Sequence, residues 1–341
     1  MPNSIIYPFT AIVGQEKMKK ALILNAINPR IGGVLIYGKK GTAKSTAAKA
    51  LTSLLPEINT VEGCNYNCDP INKNYICESC KKKFHALHHI NIIKKKAPLV
   101  EVTSSTIESS LAGTLEYQYT IKNEEKKYKF EPGDLAKANR GIIYVDEINL
   151  LNESIINILS NTVTSGVNIL KKENYSYSHK SQFVLIGTMN PEEGEIRSKL
   201  LDCFGLCIEV EKNAKHNEIL EIIKRKKEFE KNPADFIIKF SDEENKLRDK
   251  IAKAKETLEY VTISGTILRF ISKYCIEAFV SWNRAQTIIK ETACTIAALY
   301  ERDYVTKEDA LEAVDLVLSH RSKESSNIRY RIRERMCRAS S

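Results

Sequence analysis

The chain has 341 residues, which is enough for about two domains of ordinary size. Apolar residues make up 43% and charged residues 28%, as in soluble globular proteins, and the sparse glycine and proline exclude long disordered or collagen-like segments. The formal net charge is +9, and seven basic against two acidic residues lie in the tail 321–341. We interpret this tail as a solvated chain end, because few aromatic residues interleave with its basic ones as nucleic-acid binding would require.

The sequence carries no membrane or secretion signal. No apolar run approaches the ~18 residues that a spanning helix needs. The first 16 residues lack a basic start, a long apolar stretch and a small-residue cleavage site. We therefore expect a cytoplasmic protein without a membrane partner.

Residues 1–211 predict an α/β domain. A helix is predicted over 16–28, and the apolar run 33–37 (GVLIY) predicts a buried strand that leads through a glycine-containing turn into a helix over 42–55. Three further apolar runs predict strands at 141–145, 183–187 and 206–210. Short apolar strands that alternate with helices are typical of a mostly parallel sheet with helices on both faces.

The rest of the chain is predicted to be insertions into this domain or helices beyond it. The cysteine-rich residues 62–96 and the polar residues 101–133 are expected to be insertions. Residues 212–258 are strongly charged with helical spacing, which predicts a linker of long exposed helices. Apolar helical patterns return in 259–341 and predict a small all-helical domain that ends in the basic tail.

A phosphate-binding loop is predicted at 38–45, where GKKGTAKS lies between the first strand and its helix. The pattern has glycine where Ala43 stands. In such a loop, backbone N–H groups surround the β-phosphate, Lys44 reaches the β- and γ-phosphate oxygens, and the Ser45 hydroxyl binds Mg²⁺. The residues predicted to contact ATP or its Mg²⁺ here are Gly38, Gly41, Thr42, Ala43, Lys44, Ser45 and Thr46.

Polar residues end two further predicted strands. The strand GIIYV is followed by Asp146 and Glu147. At the carboxyl end of a parallel strand, Asp146 is suited to hold Mg²⁺, and Glu147 to act as the general base that polarises a water toward the γ-phosphate. Asn190 follows the strand FVLIG and is predicted to hydrogen-bond the γ-phosphate or the attacking water.

Several segments together carry a resemblance to a known family. They are FTAIVGQE at 9–16, GGVLIYGKKGTAKS at 32–45, FEPGDLAKANRGIIYVDEINLL at 130–151, GTMNPEEGEIRSKLLDCFGL at 187–206 and WNRAQ at 282–286. Over nearly its whole length the chain resembles the ATPase subunit I of magnesium chelatase, a AAA+ protein of the chelatase and MoxR-like branch. The third and fourth segments are much more specific to chelatase motors than the phosphate loop, which all AAA+ proteins share.

The resemblance implies the AAA+ fold, an αβα core with a parallel sheet followed by an all-helical lid domain, with ATP and Mg²⁺ between the two. It also implies rings, commonly hexameric, with a D-type AAA+ subunit and a large porphyrin-binding subunit as partners. Within the matching motifs, Asn190 corresponds to the first sensor. Arg284 corresponds to the second sensor, a lid cation that stabilises charge on the transferring phosphoryl group.

One position departs from the family pattern at a catalytic residue. The family has an arginine in LLDRFG, where this chain has Cys203. A cysteine cannot donate the charged, forked hydrogen bonds of a guanidinium, and an arginine finger supplies about 10³–10⁵ in rate in other NTPases. Arg197 is the candidate for supplying the missing cation from within this chain, and a partner subunit is the alternative source. If Arg197 has no catalytic role, we expect it to form a surface or interface salt bridge.

A four-cysteine cluster is predicted to bind a metal ion. Two pairs separated by a short spacer can present four thiolates tetrahedrally to a structural Zn²⁺, with an iron–sulfur cluster or free thiols as alternatives. The histidines that follow are alternative ligands or solvated loop residues. The cysteines are Cys64, Cys68, Cys77 and Cys80, and the histidines are His85, His88 and His89.

We therefore predict the ATP-hydrolysing motor of a tetrapyrrole chelatase, in which a separate large subunit inserts Mg²⁺ or Co²⁺. The alternatives are a MoxR-like chaperone ATPase that remodels a metalloprotein and a nucleotide-gated scaffold with weak hydrolysis, which Ala43 and Cys203 favour. A nucleic-acid motor related to minichromosome-maintenance proteins is suggested only by the net charge.

Overall fold

The computed structural model describes residues 5–39, 41–72, 76–86, 90–119, 126–172, 175–194, 196–210, 216–277 and 282–318. His88, His89 and the basic tail 321–341 lie outside the described residues. The chain divides into two compact units. The first comprises Met1–Leu55, Thr188–Glu192 and Phe204–Ser341, and the second comprises Pro56–Gly187 and Glu193–Cys203.

Strands and helices alternate through the first two thirds of the chain, and helices follow. The strands are β1 (Gly33–Tyr37), β2 (Ile58–Val61), β3 (Ile92–Lys95), β4 (Leu99–Val102), β5 (Gly113–Tyr119), β6 (Lys126–Pro132), β7 (Ile142–Val145), β8 (Val167–Lys172), β9 (Tyr175–Lys180), β10 (Val184–Met189) and β11 (Phe204–Glu209). The helices are α1 (Glu16–Ile27), α2 (Lys44–Ala50), α3 (Glu78–Ala86), α4 (Glu108–Ala112), α5 (Asp134–Lys137), α6 (Glu153–Ser165), α7 (Ser198–Leu201), α8 (His216–Lys231), α9 (Pro233–Leu258), α10 (Gly265–Glu277), α11 (Trp282–Leu299) and α12 (Lys307–Leu318).

A five-stranded sheet has the order β11-β1-β10-β7-β4. The pairs β1/β11, β10/β7 and β4/β7 are parallel. The residues of β7 are buried throughout, as expected of a strand covered on both faces. The predicted α/β fold with a parallel sheet is confirmed.

One strand of the sheet was not predicted. β4 overlaps the segment 101–133, which was expected to be an insertion, but its residues pair with β7 in parallel, with Glu101 opposite Tyr144. The strand is short and lies at the edge of the sheet, where one exposed glutamate is tolerated. The apolar pattern that marks a buried strand is therefore interrupted.

The helix predicted over 42–55 is shorter than expected. α2 ends at Ala50, and a 3₁₀ turn covers Leu51–Leu54. The hydroxyl of Thr52 donates to the carbonyl of Lys49 at 2.7 Å, and the hydroxyl of Ser53 donates to that of Ala50 at 2.7 Å. Such short-range bonds compete with the α-helical pattern and tighten the last turn.

Three antiparallel strand pairs lie in the described part of the second unit. They are β2–β3, β5–β6 and β8–β9. The β5–β6 and β8–β9 hairpins contact each other through stacked rings, Phe130 on Tyr177 with centroids 4.2 Å apart, and through the edge contact of Tyr128 with Tyr175 at 4.4 Å. Cross-strand and ring contacts of this kind hold hairpins that have little apolar core.

The charged region after the sheet forms two helices in the first unit. No residue of α8 is buried within its described length, whereas α9 buries Phe236 and Phe240 in a cluster with Tyr7 and Ala11. The buried carboxylate of Glu244 accepts hydrogen bonds from the Thr10 N–H at 2.8 Å and the Ser53 hydroxyl at 2.9 Å. One face of α9 therefore holds the N-terminal segment.

Helices α10, α11 and α12 follow, and a buried ion pair stabilises the start of α12. Both oxygens of Asp309 accept hydrogen bonds from the Arg302 guanidinium at 2.7 Å, and one also accepts from the Thr306 N–H at 2.8 Å. Burial opposes ionisation of Asp309, but these bonds outweigh it and lower the pKa of the carboxyl group. Across the described ranges, no helix has the length and apolarity needed to span a membrane.

We expect Asp309→Ala to lower the free energy of unfolding by about 3 kcal/mol, because it leaves a partly buried guanidinium without its partner. The control is Asp315→Ala in the same helix, which removes the exposed ion pair with Lys17 and should cost below about 1 kcal/mol. Urea denaturation followed by circular dichroism measures both. Equal losses in the two variants would contradict a special role of Asp309.

Candidate nucleotide-binding site

The phosphate loop begins where β1 ends, against the ends of its neighbouring strands. A Cβ on Gly38 would lie 2.7 Å from the carbonyl oxygen of Val210, so a side chain does not fit there. The Gly38 N–H donates to the carbonyl of Met189 at 3.1 Å. The first residue of the loop is thus fixed between the ends of β11 and β10.

The rest of the loop has the backbone geometry of an anion site. Gly41 has φ +83°, with open space where a Cβ would stand, and Ala43 has φ +59°. In the described residues, no side chain caps the N-terminus of α2. The first N–H groups of a helix have no intrahelical partner and carry a partial positive charge, so this loop fits a phosphate.

The side chain of Lys44 lies over the loop. Its ammonium group donates to the carbonyl of Gly38 at 2.6 Å and to that of Lys39 at 2.9 Å. The Thr42 hydroxyl donates to the same Lys39 carbonyl at 3.0 Å. These bonds hold a cation beside the loop's N–H groups, next to the half-buried Ser45.

Asn190 is the sequence-predicted residue that the structure brings to this loop. It directly follows Met189, whose carbonyl accepts the Gly38 N–H. Its side chain is 7% exposed, and its Oδ1 accepts a hydrogen bond from the Glu192 N–H at 3.4 Å. Glu192 in turn forms an ion pair with Lys39 at 2.6 Å.

The acidic pair lies at the carboxyl end of β7, in the second unit. Asp146 is exposed, accepts a hydrogen bond from the Tyr144 hydroxyl at 2.7 Å, and donates its N–H to the carbonyl of Val102 at 3.3 Å. Glu147 is half-buried with φ +49°, in the left-handed region that non-glycine residues seldom occupy. Such a conformation turns the chain sharply after the strand.

Cys203 stands where the family has an arginine, and its surroundings differ from those of Arg197 and Arg284. Cys203 is 3% exposed, and its thiol donates to the carbonyl of Lys199 at 3.8 Å. Arg197 precedes α7 and forms an ion pair with Glu153 at 3.0 Å, with more than half of both side chains exposed. Arg284 is exposed on α11.

The four clustered cysteines meet in the second unit. The sulfur atoms of Cys64, Cys68, Cys77 and Cys80 all lie within 4.8 Å of one another. Four sulfurs at about 2.3 Å from one zinc ion stand about 3.8 Å apart, so the cluster is close to that geometry. His85 is exposed on α3 and is not among these ligand atoms.

Hydrogen bonds within the cluster favour a thiolate. Hydrogen bonds with Cys68 and Cys77 lower the pKa of the Cys64 thiol, whereas the bond to Cys64 raises the pKa of the Cys68 thiol and burial raises that of Cys80. The Tyr66 N–H donates to the Cys64 sulfur at 3.4 Å, and the Cys77 N–H donates to the Cys68 sulfur at 3.1 Å. Backbone amides that donate to sulfur are the usual outer partners of metal-bound thiolates.

Sequence reasoning missed the polar residues that hold this cluster in place. Asn67, with φ +49°, donates to the carbonyls of Lys137 and Asn139, and Arg140 forms an ion pair with Asp69 at 3.5 Å. The partners of these residues are distant in sequence, and most are backbone carbonyls, which every residue type carries. Such bonds leave no recognisable pattern in the sequence. An asparagine between two cysteines was the one local signal, since asparagine tolerates a positive φ.

Comparison with known proteins identifies the family. Residues 8–216 match the family described as magnesium chelatase, subunit ChlI, and residues 268–334 match the AAA lid domain. The chain belongs to the magnesium chelatase ChlI family. It is 52% identical over 318 residues to the magnesium-chelatase subunit ChlI homolog of Methanocaldococcus jannaschii, covering 93% of this chain and 86% of that protein. It is 38% identical over 333 residues to the ChlI subunit of Euglena gracilis, covering 96% and 95%.

Solved structures agree with this membership. The chain resembles one from the complex between BchI and BchD of magnesium chelatase, based on a cryo-electron-microscopy reconstruction, with TM-score 0.51, 33% identity, and 96% and 100% of the two chains covered. A putative ATPase of Cytophaga hutchinsonii, at 18% identity and TM-score 0.58 over 96% and 91%, supports the fold alone. This ChlI-family chain is therefore an ATPase of the AAA+ class with an α/β core and a helical lid, and its family uses ATP and Mg²⁺.

The backbone of Ala43 predicts how the loop responds to substitution. A left-handed conformation costs an L-residue about 1–2 kcal/mol and costs glycine nothing, so Ala43→Gly should bind an ATP analogue as tightly as the natural chain or a few-fold more tightly. Ala43→Val should bind about tenfold more weakly, because a β-branched residue fits that region poorly.

Titration with a fluorescent, non-hydrolysable ATP analogue measures the dissociation constants. The control is the same pair of substitutions at Ala86, which is exposed on α3. A valine at position 43 that leaves the affinity unchanged would show that the loop does not need this conformation to bind nucleotide.

Proposed function

We propose that this chain is the ATP-hydrolysing motor subunit of a tetrapyrrole metal chelatase, in which a separate large subunit inserts Mg²⁺ or Co²⁺. The observation that carries the proposal is a phosphate loop of the required geometry in a chain of the ChlI family. A D-type AAA+ subunit and the large porphyrin-binding subunit are the proposed partners, and the BchI–BchD complex among the similar structures supports the first of them. We propose assembly into a ring, commonly hexameric in this family.

In this proposal the phosphate loop holds the triphosphate. The N–H groups from Gly41 to Thr46 surround the β-phosphate, and Lys44 exchanges the carbonyls of the loop for β- and γ-phosphate oxygens. Ser45 and Asp146 are proposed to hold Mg²⁺, which neutralises developing charge on the phosphates when bound. Binding would be specific for a polyphosphate because backbone and ammonium donors replace its hydration together.

The remaining predicted residues are proposed to act on the attacking water and on the γ-phosphate. Glu147 accepts a proton from the water, and Asn190, fixed beside the loop, orients either the water or a γ-phosphate oxygen. Arg284, exposed on the lid helix α11, is proposed to reach the nucleotide from the lid. Hydrolysis removes the γ-phosphate contacts and so changes which lid position is favoured.

Steady-state ATP hydrolysis tests the motor proposal, with and without D-type and large subunits. Lys44→Ala should abolish nucleotide binding, whereas Glu147→Gln should bind ATP normally and hydrolyse it about 10²–10⁴-fold more slowly. Insertion of Mg²⁺ and of Co²⁺ into a tetrapyrrole is then measured in the complete mixture. Nucleotide binding without hydrolysis in any mixture would contradict the motor proposal and leave the nucleotide-gated scaffold.

We propose that Arg197 supplies the cation that Cys203 cannot. Cys203 is buried, so its short side chain does not reach a neighbouring subunit, whereas Arg197 is more than half exposed and forms an exposed ion pair with Glu153. Exposed ion pairs are worth about 0–1 kcal/mol, so releasing Arg197 toward a neighbouring subunit's nucleotide costs little.

A mixing experiment tests this role. Arg197→Ala should lower hydrolysis about 10³-fold at unchanged nucleotide affinity. Mixed with Lys44→Ala subunits, it should recover activity, because each Lys44→Ala subunit offers an intact Arg197 to a neighbour that binds ATP. Glu153→Gln is the control and should remain active. Failure of the two inactive variants to complement each other would show that the cation comes from elsewhere.

We further propose that Cys64, Cys68, Cys77 and Cys80 hold a structural Zn²⁺. All four sulfurs lie within 4.8 Å of one another, which suits a single ion and is too close for a cluster with several irons. Four protein ligands leave no open position, so the ion would not be catalytic. The eight cysteines of the described residues form no disulfide, which is typical of a reducing compartment and supports a cytoplasmic protein.

A further inference from the structure

The cysteine insertion, residues 62–96, contacts the turn that leads into the acidic strand. The side-chain amide of Asn67 donates to the carbonyl of Lys137 at 2.7 Å and to that of Asn139 at 3.1 Å. Asn139 donates back to the carbonyl of Tyr66 at 2.7 Å. Asn67 and Asn139 are both buried, so these bonds are protected from competing water.

Arg140 adds a second set of bonds to the same turn. Its guanidinium donates to the carbonyls of Asn59 at 2.6 Å and Asn67 at 3.4 Å, and it pairs with Asp69. Its N–H donates to the carbonyl of Gln182 at 2.6 Å. The turn is therefore connected both to the cysteine insertion and to the segment before β10.

The insertion also joins the two long hairpins. The hydroxyls of Tyr66 and Tyr177 lie 3.0 Å apart, and the ring of Tyr66 stacks on Phe130 with centroids 6.3 Å apart. Phe130 belongs to β6 and Tyr177 to β9. Tyr66 and Asn67, which lie between Cys64 and Cys68, thus contact both hairpins and the turn 137–140.

The described hydrophobic core of the insertion is small. Cys68, Ile76 and Cys80 form its buried part together with Val61 of β2, so two of these four residues are proposed metal ligands. Segments this short seldom bury enough apolar surface to fold without a disulfide or a metal ion. The free energy of zinc binding at a structural site therefore contributes directly to the folding of the segment.

We infer that the metal ion bound by the four cysteines fixes the turn 137–140, and through it the position of Asp146 and Glu147, so that loss of the metal ion slows hydrolysis while the Mg²⁺-independent affinity of the phosphate loop for nucleotide stays the same. β7 spans four residues, about 13 Å, between this turn and the two carboxylates. A short, fully buried strand transmits displacement of its start to its end, because packed interiors deform little. The phosphate loop has its own contacts, with the ends of β10 and β11. The inference rests on the zinc assignment proposed above.

The first experiment removes the metal from the full chain. Elemental analysis should find one zinc per natural chain and per His85→Ala control, and none in Cys68→Ser/Cys77→Ser. Stripping zinc with a chelator should raise amide hydrogen exchange in 137–141 and in β9 about tenfold, lower hydrolysis, and leave the dissociation constant of the ATP analogue, measured without Mg²⁺, within about twofold. Adding Zn²⁺ back should reverse these changes.

The second experiment weakens the contact between the insertion and the turn 137–140 while the metal ion stays bound. Asn67→Gly keeps the backbone conformation, since glycine accepts a positive φ, but deletes the two side-chain bonds to the carbonyls of Lys137 and Asn139. It should retain one zinc and still show the raised exchange in 137–141. Normal exchange in this variant, or in stripped natural protein, would overturn the inference while leaving the zinc assignment intact. A natural chain without metal would overturn both, whereas failure of hydrolysis alone would contradict only the motor proposal.

Discussion

Parallel strand pairing is the constraint on which the functional arrangement depends. Strands that run in the same direction all end at one edge of their sheet, so the loops that follow them are delivered to that edge. In the first unit the phosphate loop follows β1 and Asn190 follows β10, and in the second unit the acidic pair follows β7. The loop can start so close to β11 because Gly38 has no side chain, since the carbonyl oxygen of Val210 lies only 2.7 Å from where a Cβ would stand. A sheet with antiparallel neighbours would send half of these loops to the opposite edge.

The two departures from the family pattern differ in physical consequence. Ala43 costs only the strain of one alanine in the left-handed region, about 1–2 kcal/mol, and it leaves the N–H groups of the loop in place. Cys203 instead lacks the charge and the five donors of an arginine, and its thiol is buried. The first departure is therefore compatible with nucleotide binding, and the second is the reason that we propose Arg197 as the source of the stabilising cation.

The sequence predicted those parts of the fold that depend on apolar pattern. β1, β7, β10 and β11 are short apolar runs, and each could be located to within a few residues. β4 and the β8–β9 hairpin could not be located in this way. β4 carries Glu101 at a sheet edge, and β9 reads YSYSHK, whose aromatic rings contact rings of another hairpin. The phosphate loop and the acidic pair could be predicted because their chemistry depends on adjacent residues. Asn67 and Arg140 could not, because they act on carbonyls far along the chain.

A bound metal ion would stabilise the cysteine insertion, which is too small for an extensive hydrophobic core. A segment of this size has too little interior to compensate the loss of chain entropy on folding, and enlarging its core would add apolar residues beside a polar turn. Four thiolates around one ion need little volume and fix several backbone segments at once. The polar residues between the ligands, Tyr66, Asn67 and Asp69, then remain available for hydrogen bonds to the rest of the second unit. In the proposed arrangement, metal coordination and hydrogen bonding together would hold the turn at the start of the acidic strand.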